Sequence, residues 1–355
     1  MRLFLATLLA LIGLRLLAPF PAPAIAAGAV FLAALYAVMP KGWQAREHPS
    51  EWRTLVPWIA MGVFSWLFVL TIAREALLLV NPELVRESAL GVWIAVPLIT
   101  AVGFFMARRT APVKRVTIRV PGLAAPLEGF TIAQISDVHV GPTIKRPFVE
   151  RIVARVNALA PDLVAITGDL VDGPVRQLAR HTEPLANLAS RHGTYFVTGN
   201  HEYYSGAHGW IRELQRLGAR VLLNEHVVLD HDGAAVTVAG VTDYSAHHFD
   251  PAHRSDPKRA VEGAPSDALK VLLAHQPRSA AAAADAGYHL QLSGHTHGGQ
   301  FWPWNLFVRL QQPFTAGLHK LGKMWVYINR GTGYWGPPMR FGIPSEITLI
   351  RFAPD

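Results

Sequence analysis

The sequence predicts an α-helical transmembrane region at residues 1–110 followed by one α/β domain at residues 111–355. Three observations lead to this prediction. Long apolar stretches fill the first 107 residues, and short β-branched runs alternate with helical segments after them. Charged residues make up only 16% of the chain, against roughly 25% in an average soluble domain. Fifteen of the sixteen histidines follow residue 115, His48 being the exception, so we expect the chemistry in the second part.

The composition also excludes several functional classes. Residues 1–115 hold eleven Lys and Arg and five Glu, which is +6 of the net charge of +8. The remaining residues, with 22 basic and 20 acidic side chains, do not form the spread basic face of a nucleic-acid binder, which argues against a nucleic-acid partner. The chain has no cysteine, which excludes disulfides, thiolate zinc sites and cysteine nucleophiles.

Four apolar stretches are each long enough for about one membrane span, which needs about 20 residues. Buried helices of a soluble protein are the alternative, but such helices rarely stay apolar on every face. The first stretch has a second interpretation as a signal peptide, cleaved near Ala22-Pro23-Ala24. The four stretches are roughly 3–19, 23–39, 55–80 and 88–107.

Lys and Arg in the short loops predict the orientation of these helices. Most of the Lys and Arg residues lie between the second and third stretches and after the fourth stretch. The two remaining loops, on the other side of the membrane, offer only Arg86. We therefore expect the basic segments, and with them the α/β domain, on the cytoplasmic face of a bacterial inner membrane. Three charged residues inside the apolar stretches, Arg15, Arg74 and Glu75, are expected to pair or to reach the interface rather than to mark a transport path. The basic residues are Lys41, Arg46, Arg53, Arg108, Arg109, Lys114 and Arg115.

Strands and helices alternate through the remainder, which favours sheets covered by helices. Helices are predicted at Arg146–Ala160 and near 176–191. The predicted strands are Val116–Val120, Phe130–Ser136, Leu163–Thr167, Thr194–Thr198, Ala219–Leu223, Ala234–Ala239, Lys270–Ala274, His289–Leu292, Trp325–Asn329 and Glu346–Phe352.

Five of these strands end in Asp, Asn or His, where the loops of an open α/β sheet converge on one crevice. Carboxylates and imidazoles suit Mn, Fe, Zn or Mg ions, and a bridging carboxylate with three further ligands for each ion makes a two-metal site. Taken singly, Asp137 or Asp169 is more typical of a helix N-cap and Asn200 of a turn. The motifs are Asp137-Val138-His139, Gly168-Asp169, Gly199-Asn200-His201-Glu202, His275 and Gly294-His295-Thr296-His297.

These five motifs resemble the calcineurin-like metallophosphoesterase superfamily, in the family's order, over about residues 115–352. The resemblance implies a four-layer α/β/β/α sandwich. The runs Gly294–Gln300 and Asn329–Gly333 are similar to a membrane-associated branch that includes UDP-2,3-diacylglucosamine hydrolases.

The resemblance also implies a role for each residue. Two divalent ions are expected, with Mn favoured among Mn, Fe, Zn and Mg. His201 is the expected proton donor or transition-state stabiliser, and Glu202 is expected to orient it. The first ion takes Asp137, His139 and His297, the second takes Asn200, His275 and His295, and Asp169 bridges the two.

Other residues have weaker signals. Asp172 either organises the loop after Asp169 or is a solvated turn residue. Arg330 and Arg340 are the candidate phosphate contacts, because guanidinium binds phosphate oxygens in a bidentate manner. The aromatic run 301–307 either faces lipid or folds onto its own core. Further candidates around the cleft are Asp243, Tyr244, His247 and His248.

The sequence therefore predicts a membrane-anchored dinuclear-metal phosphoesterase that hydrolyses a phosphodiester or pyrophosphate, with membrane lipids and a phosphorylated or nucleotide-linked lipid as partners. The alternatives are a nuclease or soluble nucleotide phosphodiesterase, a non-catalytic membrane metal-binding scaffold, and a transporter built on the helices.

Overall fold

A computed structural model describes residues 2–44 and 51–355, with the side chains of residues 43 and 44 left out. Arg46, one of the predicted cytoplasmic residues, and His48 lie outside the described residues. The chain forms two compact units. The helical unit comprises residues 1–108 and 336–341, and the α/β unit comprises residues 109–335 and 342–355.

Helices fill the helical unit at the four predicted stretches. The two longest, α4 with α5 and its preceding 3₁₀ turn, are long and apolar enough to cross a membrane, and α2 is a shorter apolar helix. Large apolar side chains such as Leu14, Val30 and Leu98 are exposed on their outer faces, as a lipid-facing surface requires. The helices are α1 (Arg2–Leu17), α2 (Ala22–Val38), α3 (Lys41–Gln44), α4 (Glu51–Leu78) and α5 (Val85–Arg108).

The charged side chains inside these helices pair with one another. Glu75 accepts hydrogen bonds from both Arg15 and Arg74. Arg74, which is buried, also donates to the Val85 carbonyl oxygen at 2.8 Å. The predicted pairing of these residues is confirmed, and it neutralises one of the two positive charges that the apolar helices carry there.

A short segment from the end of the chain, Gly336–Phe341, belongs to the helical unit. The Trp66 indole N–H lies 2.7 Å from Met339 Sδ, and the Phe341 ring meets Trp66 edge to face. A side chain at Gly62 or Gly103 would collide with Met339. The prediction had assigned this segment to the α/β domain, since nothing in its sequence marks it as part of a helical bundle.

The α/β unit contains twelve strands and six helices among its described residues. Its helices are α6 (Arg146–Asn157), α7 (Val175–Thr182), α8 (Asn200–Ser205), α9 (Ala207–Arg216), α10 (Pro257–Ala260) and α11 (Ala280–Asp285). Its strands are β1 (Val113–Val120), β2 (Thr131–Ile135), β3 (Leu163–Ile166), β4 (Thr194–Phe196), β5 (Ala219–Val221), β6 (Glu225–His231), β7 (Ala234–Gly240), β8 (Leu269–Leu273), β9 (Leu290–Ser293), β10 (Gly317–Leu321), β11 (Met324–Ile328) and β12 (Ile347–Pro354).

The strands form two six-stranded sheets, in the orders β1-β12-β2-β3-β4-β5 and β10-β11-β9-β8-β7-β6. Strands β2 to β5 run parallel in the first sheet, and β7, β8, β9 and β11 run parallel in the second. The sheets share one core, in which Ile132 and Leu163 of the first sheet pack with Val271 and Leu292 of the second. This arrangement is the expected α/β/β/α metallophosphoesterase sandwich.

Alternation along the strands explains why helices cover the outer faces. Ile132 and Leu163 face the shared core, whereas their neighbours Ala133 and Val164 are buried on the opposite face. On the second sheet that outer face packs against Ala280 and its neighbours in α11. The parallel strands therefore have both faces buried, and their carboxyl ends are left to form a site.

Candidate metal centre

The predicted ligands lie in the loops that leave β2, β3, β4, β8 and β9. Asp137 and His139 follow β2, and Asp169 follows β3. The loop after β4 enters α8, whose first residue is Asn200. All the predicted ligands except His295, which is half-buried, are buried.

The first group of ligands is Asp137, His139 and His297. Nε2 of His139 lies 3.0 Å from Nε2 of His297, which lies 3.5 Å from Oδ1 of Asp137. Donor atoms of the three residues lie within 4.8 Å of one another. This separation is suitable for three ligands of a single ion, whose bonds are about 2.0–2.2 Å long.

The second group is Asp169, His275 and His295. Oδ2 of Asp169 lies 3.1 Å from Nε2 of His275, which lies 3.2 Å from Nδ1 of His295. The same Asp169 oxygen lies 4.0 Å from Nε2 of His139, in the first group. Asp169 therefore faces both groups, as its predicted bridging role requires.

The backbone at these residues is unusual. Nine described residues other than glycine have a positive φ, and five of them are predicted ligands: Asp137, His139, Asp169, His295 and His297. Residues with side chains rarely adopt this left-handed region, and such strain is concentrated at functional sites. Close approach also requires glycine at position 294, because a Cβ there would overlap Ser136 Oγ and Asp137 Oδ2.

Burial and neighbouring charges shift the pKa values of the predicted ligands in different directions. Burial raises the pKa of the Asp137 carboxyl, because the charged form loses its hydration there, and a nearby cation would oppose that effect. Burial also opposes ionisation of Asp169, but the charges of His275 and His201 outweigh it and hold that pKa well below its usual range. Burial and the adjacent His275 lower the pKa of His295 to about 3, which keeps this imidazole neutral, the form that binds metals.

The residues present fit two divalent ions. Their donors are carboxylate oxygens and imidazole nitrogens, which suit Mn, Fe, Zn and Mg, and thiolates are absent from the chain. Asn200 supplies an independent observation, because its Oδ1 is buried and accepts no hydrogen bond within residues 2–44 and 51–355. A buried acceptor without a donor is costly, and a cation would satisfy it.

Comparison with known proteins identifies the family. Residues 130–299 match the model of the calcineurin-like phosphoesterase family. A Danio rerio protein named transmembrane protein with metallophosphoesterase domain is 35% identical over 322 residues, covering 84% of this chain and 74% of its own. The chain belongs to the calcineurin-like metallophosphoesterases.

Two more relatives of this metallophosphoesterase are similar over comparable lengths. A Bos taurus protein with the same name as the Danio rerio relative is 39% identical over 286 residues, which is 77% of this chain and 64% of the bovine protein. An uncharacterized metallophosphoesterase of Helicobacter pylori is 38% identical over 257 residues, which is 71% of this chain and 66% of the bacterial protein. The chain thus spans about two thirds of these two relatives.

His201 of this metallophosphoesterase is held by Asp172. Oδ1 of Asp172 lies 2.5 Å from Nδ1 of His201 and 2.9 Å from Nδ1 of the predicted ligand His139. Nε2 of His201 is left towards Asp169, 4.0 Å from its Oδ2. Burial disfavours the imidazolium, but Asp169 and Asp172 outweigh burial and raise the pKa of His201 to about 9. Asp172 thus organises the site and is not a solvated turn residue.

Glu202 makes no hydrogen bond to the His201 side chain within residues 2–44 and 51–355, so the prediction that it orients this histidine in that way is wrong. Its Oε2 accepts hydrogen bonds from the backbone N–H groups of Gly199 and Asp169, at 2.6 and 3.0 Å, and its Oε1 accepts one from Leu170 at 2.8 Å. Glu202 therefore joins the β3 and β4 loops. The capping-box spacing, with glutamate three residues after the N-cap Gly199, is the sequence signal that could have found this role.

Asp243 lies buried beside the second ligand group. Nε2 of Gln276, the residue after His275, donates to both of its carboxylate oxygens, at 3.2 and 3.0 Å. Tyr244 is exposed beneath the Arg278 guanidinium, and the rings of His247 and His248 lie 4.0 Å apart, tilted by 40°. Sequence reasoning missed Gln276, whose role only the fold reveals.

The two candidate phosphate-binding arginines lie in different units. The Arg330 side chain lies against Gly298, next to the predicted ligand His297. Arg340 belongs to the helical unit, where its side chain is buried and its backbone N–H donates to Gly103 at 3.0 Å. Contact with phosphate stays a prediction for both.

The run Asn329–Gly333 is hydrogen-bonded to the loop after β2, which carries Asp137. The Thr332 and Gly333 N–H groups donate to the carbonyl oxygens of Ser136 and Asp137, at 2.7 and 3.1 Å. Thr332 Oγ1 also accepts from the Ser136 N–H at 3.2 Å. This run, noted in the sequence only as a family signature, therefore fixes the backbone on which Asp137 is placed.

Proposed function

We propose that this metallophosphoesterase is a membrane-anchored, dinuclear-metal enzyme that hydrolyses a phosphodiester or pyrophosphate bond of a lipid-linked substrate, such as UDP-2,3-diacylglucosamine. The observation that supports it most is the sharing of Asp169 between two ligand groups, with His201 beside both. The basic loops favour a cytoplasmic location for the α/β unit at a bacterial inner membrane.

The chain's own residues have distinct tasks in this reaction. Two bound divalent ions would supply a nucleophile at neutral pH and clamp the oxygens of the phosphoryl group. Asp172 fixes His201 through Nδ1, so the other nitrogen is directed into the site. This nitrogen, Nε2, can donate a proton to the leaving oxygen, and the raised pKa of His201 favours the protonated imidazole that this task requires.

An exposed apolar patch next to the site supports a lipid-linked substrate. We call it the 302–310 patch, after its residues Trp302, Trp304, Leu306, Phe307 and Leu310, which are 37–82% exposed. It packs against the ligand loop, because a Cβ at Gly299 would overlap Asn305. Exposed Trp and Phe beside Arg309, also exposed, suit the interface of a bilayer with anionic lipids. Among the large apolar residues of the run 301–307, only Phe301 is buried in the core of its own domain, and the others are exposed.

The substrate class is tested by separating lipid capture from chemistry. In the full-length protein in mixed micelles, Leu306→Ser with Phe307→Ser should raise KM for UDP-2,3-diacylglucosamine about tenfold, because about 1.4 kcal/mol of apolar contact is lost. Turnover of the water-soluble bis-p-nitrophenyl phosphate should not change. Val228→Ser with Leu318→Ser, at exposed apolar positions elsewhere on the α/β unit, is the matched control.

Each contrary result has a separate meaning. An unchanged KM for the lipid in the patch variant would remove the patch from substrate capture. Turnover of the soluble ester without any cleavage of the lipid would contradict the lipid substrate and leave a soluble nucleotide phosphodiesterase.

A further inference from the structure

A second group of metal-binding side chains lies in the α/β unit outside the motifs described above. It consists of His208 on α9 with Asp250 and His253 on the loop after β7. Nε2 of His208 lies 3.1 Å and Nε2 of His253 lies 3.8 Å from the same oxygen, Oδ2 of Asp250. Donor atoms of all three residues lie within 4.8 Å of one another.

The two oxygens of Asp250 have different functions. Oδ1 accepts the N–H of Ala252 at 3.0 Å and so caps the 3₁₀ turn Pro251–His253. This hydrogen bond fixes the carboxylate plane on its own loop and leaves Oδ2 towards the two imidazoles. The position of the shared oxygen is therefore set by the backbone rather than by the histidines.

His253 is fixed from its other nitrogen. Its Nδ1 lies 2.7 Å from the Tyr203 hydroxyl, which is 3.4 Å from Thr198 Oγ1. Metal-ligating histidines in proteins are usually oriented by such a hydrogen bond on the non-ligating nitrogen. The contact directs Nε2 of His253 to the side where Asp250 and His208 lie.

We propose that His208, Asp250 and His253 bind a third divalent ion, best matched by Zn²⁺. Two imidazole nitrogens and one carboxylate oxygen form a common zinc donor set, completed by a water. In a tetrahedral site with bonds of about 2.0–2.1 Å, donor atoms are roughly 3.3 Å apart. The distances of 3.1 and 3.8 Å bracket this value. The His208 side chain is 64% exposed, so zinc can enter from solvent without any rearrangement of the core.

An ion at this position would fix a loop next to the catalytic histidine. Phe249, which precedes Asp250, packs against the rings of Tyr203 and Tyr204, at centroid distances of 5.9 and 5.5 Å. The Tyr204 ring in turn lies 5.2 Å from the His201 ring. The zinc would therefore join α9, the β7 loop and α8 around the entrance to the site.

The test counts zinc ions bound to the full-length protein in detergent. Chelator-treated protein is saturated with Zn²⁺, desalted and analysed by mass spectrometry for zinc per chain. The wild-type protein should hold one more equivalent than His208→Gln with His253→Gln. The matched control, His247→Gln with His248→Gln, removes two histidines from the same loop and should bind as much zinc as the wild type.

The test compares the zinc bound per chain in the wild type and in the variants. Because the residues around Asp169 are the same in all of them, the difference does not depend on how many ions the dinuclear centre binds. A difference of one ion supports the third site even if the total shows that the dinuclear centre does not bind two. Equal zinc in the wild type and the double variant would overturn it. Asp250→Asn is a second variant, for use in case the double variant does not fold. It preserves the size of the side chain and its cap on Ala252, and we expect it to lose the same ion.

Discussion

At the scale of single residues, Asp172 connects the predicted metal ligands to His201, the predicted proton donor. A single oxygen of this carboxylate faces His139 and His201, so it orients a predicted ligand and the predicted proton donor at once. The sequence placed Asp172 three residues after Asp169 but did not reveal its direction. That direction depends on how the β3 and β4 loops meet, which local sequence does not encode.

Replacing Asp172 by Asn should lower turnover of bis-p-nitrophenyl phosphate about 10- to 100-fold, the usual effect of losing a partner that orients a metal ligand. An amide oxygen lacks the negative charge by which Asp172, together with Asp169, raises the pKa of His201. Steady-state kinetics on metal-loaded protein provides the measurement. Asp267→Asn, at an exposed position, is the control and should leave turnover unchanged. Wild-type turnover in Asp172→Asn would mean that His201 needs no carboxylate partner.

The clustering of the predicted ligands could be predicted, because Asp and His residues at the ends of neighbouring parallel strands converge on one edge of the sheet. The role of Glu202 was predictable only in part, because the capping-box spacing indicates its bond from the Gly199 N–H, whereas its bonds from the Asp169 and Leu170 N–H groups form only in the fold. Asn200 was predictable as a ligand only through its motif. Its buried oxygen without a donor among the described residues is the structural counterpart of that prediction.

Gly294→Ala tests the close packing of the ligand loops. A methyl group there overlaps the Asp137 carboxylate, so metal affinity should fall, with about 1–3 kcal/mol lost in the free energy of unfolding from overpacking. Isothermal titration with Mn²⁺ and thermal unfolding measure both effects. The control is Gly209→Ala in α9, where the new Cβ makes only ordinary van der Waals contact. Equal Mn²⁺ affinity in the two variants would contradict the packing described here.

At the scale of elements, the strands that sequence reasoning found are mostly the buried ones. The two that it missed, β6 and β10, are the edges of the second sheet, and their half-exposed residues weaken the apolar signal. The hairpin between β6 and β7 did have a signal, because Asp232-Gly233 between two runs is typical of a two-residue turn. Of the four predicted membrane helices, α4 and α5 are long and apolar enough to cross a membrane, whereas α1 and α2, with 16 and 17 residues, are shorter.

Gly103→Val tests the packing of Gly336–Phe341 in the helical unit. The added side chain collides with Met339 and should lower the free energy of unfolding in detergent by about 1–3 kcal/mol. Gly91→Val on the same helix is the matched control, since nothing lies within 4 Å of its Cβ position. Thermal unfolding followed by tryptophan fluorescence measures the effect. Equal melting temperatures for the two variants would show that the segment does not pack on α5.

At the scale of the whole molecule, we expect bound metal ions to stabilise the α/β unit as well as to serve the reaction. Buried carboxylates such as Asp137 are poorly tolerated without a cation, and burial raises the pKa of this one for that reason. The strained ligand backbones add to this cost. Metal binding should therefore be coupled to the stability of the α/β unit.

Removal of divalent ions with a chelator should lower the melting temperature of the full-length protein. An ion at 100 times its Kd contributes about 2.7 kcal/mol through mass action alone. Differential scanning fluorimetry with and without Mn²⁺ measures the shift. Asp169→Asn should show a much smaller response to Mn²⁺ because it lacks the shared carboxylate. A full response in that variant would argue against a bridging role for Asp169.

The central claim is that the two ligand groups around Asp169 form a metal-dependent phosphoesterase centre. The most direct measurement is Mn²⁺-dependent hydrolysis of bis-p-nitrophenyl phosphate by the purified full-length protein, in parallel with Asp169→Asn and His201→Ala. We expect turnover that requires the metal, is abolished in Asp169→Asn and falls at least 100-fold in His201→Ala, while both variants stay folded. Turnover without metal, or at the wild-type rate in folded Asp169→Asn, would contradict the account.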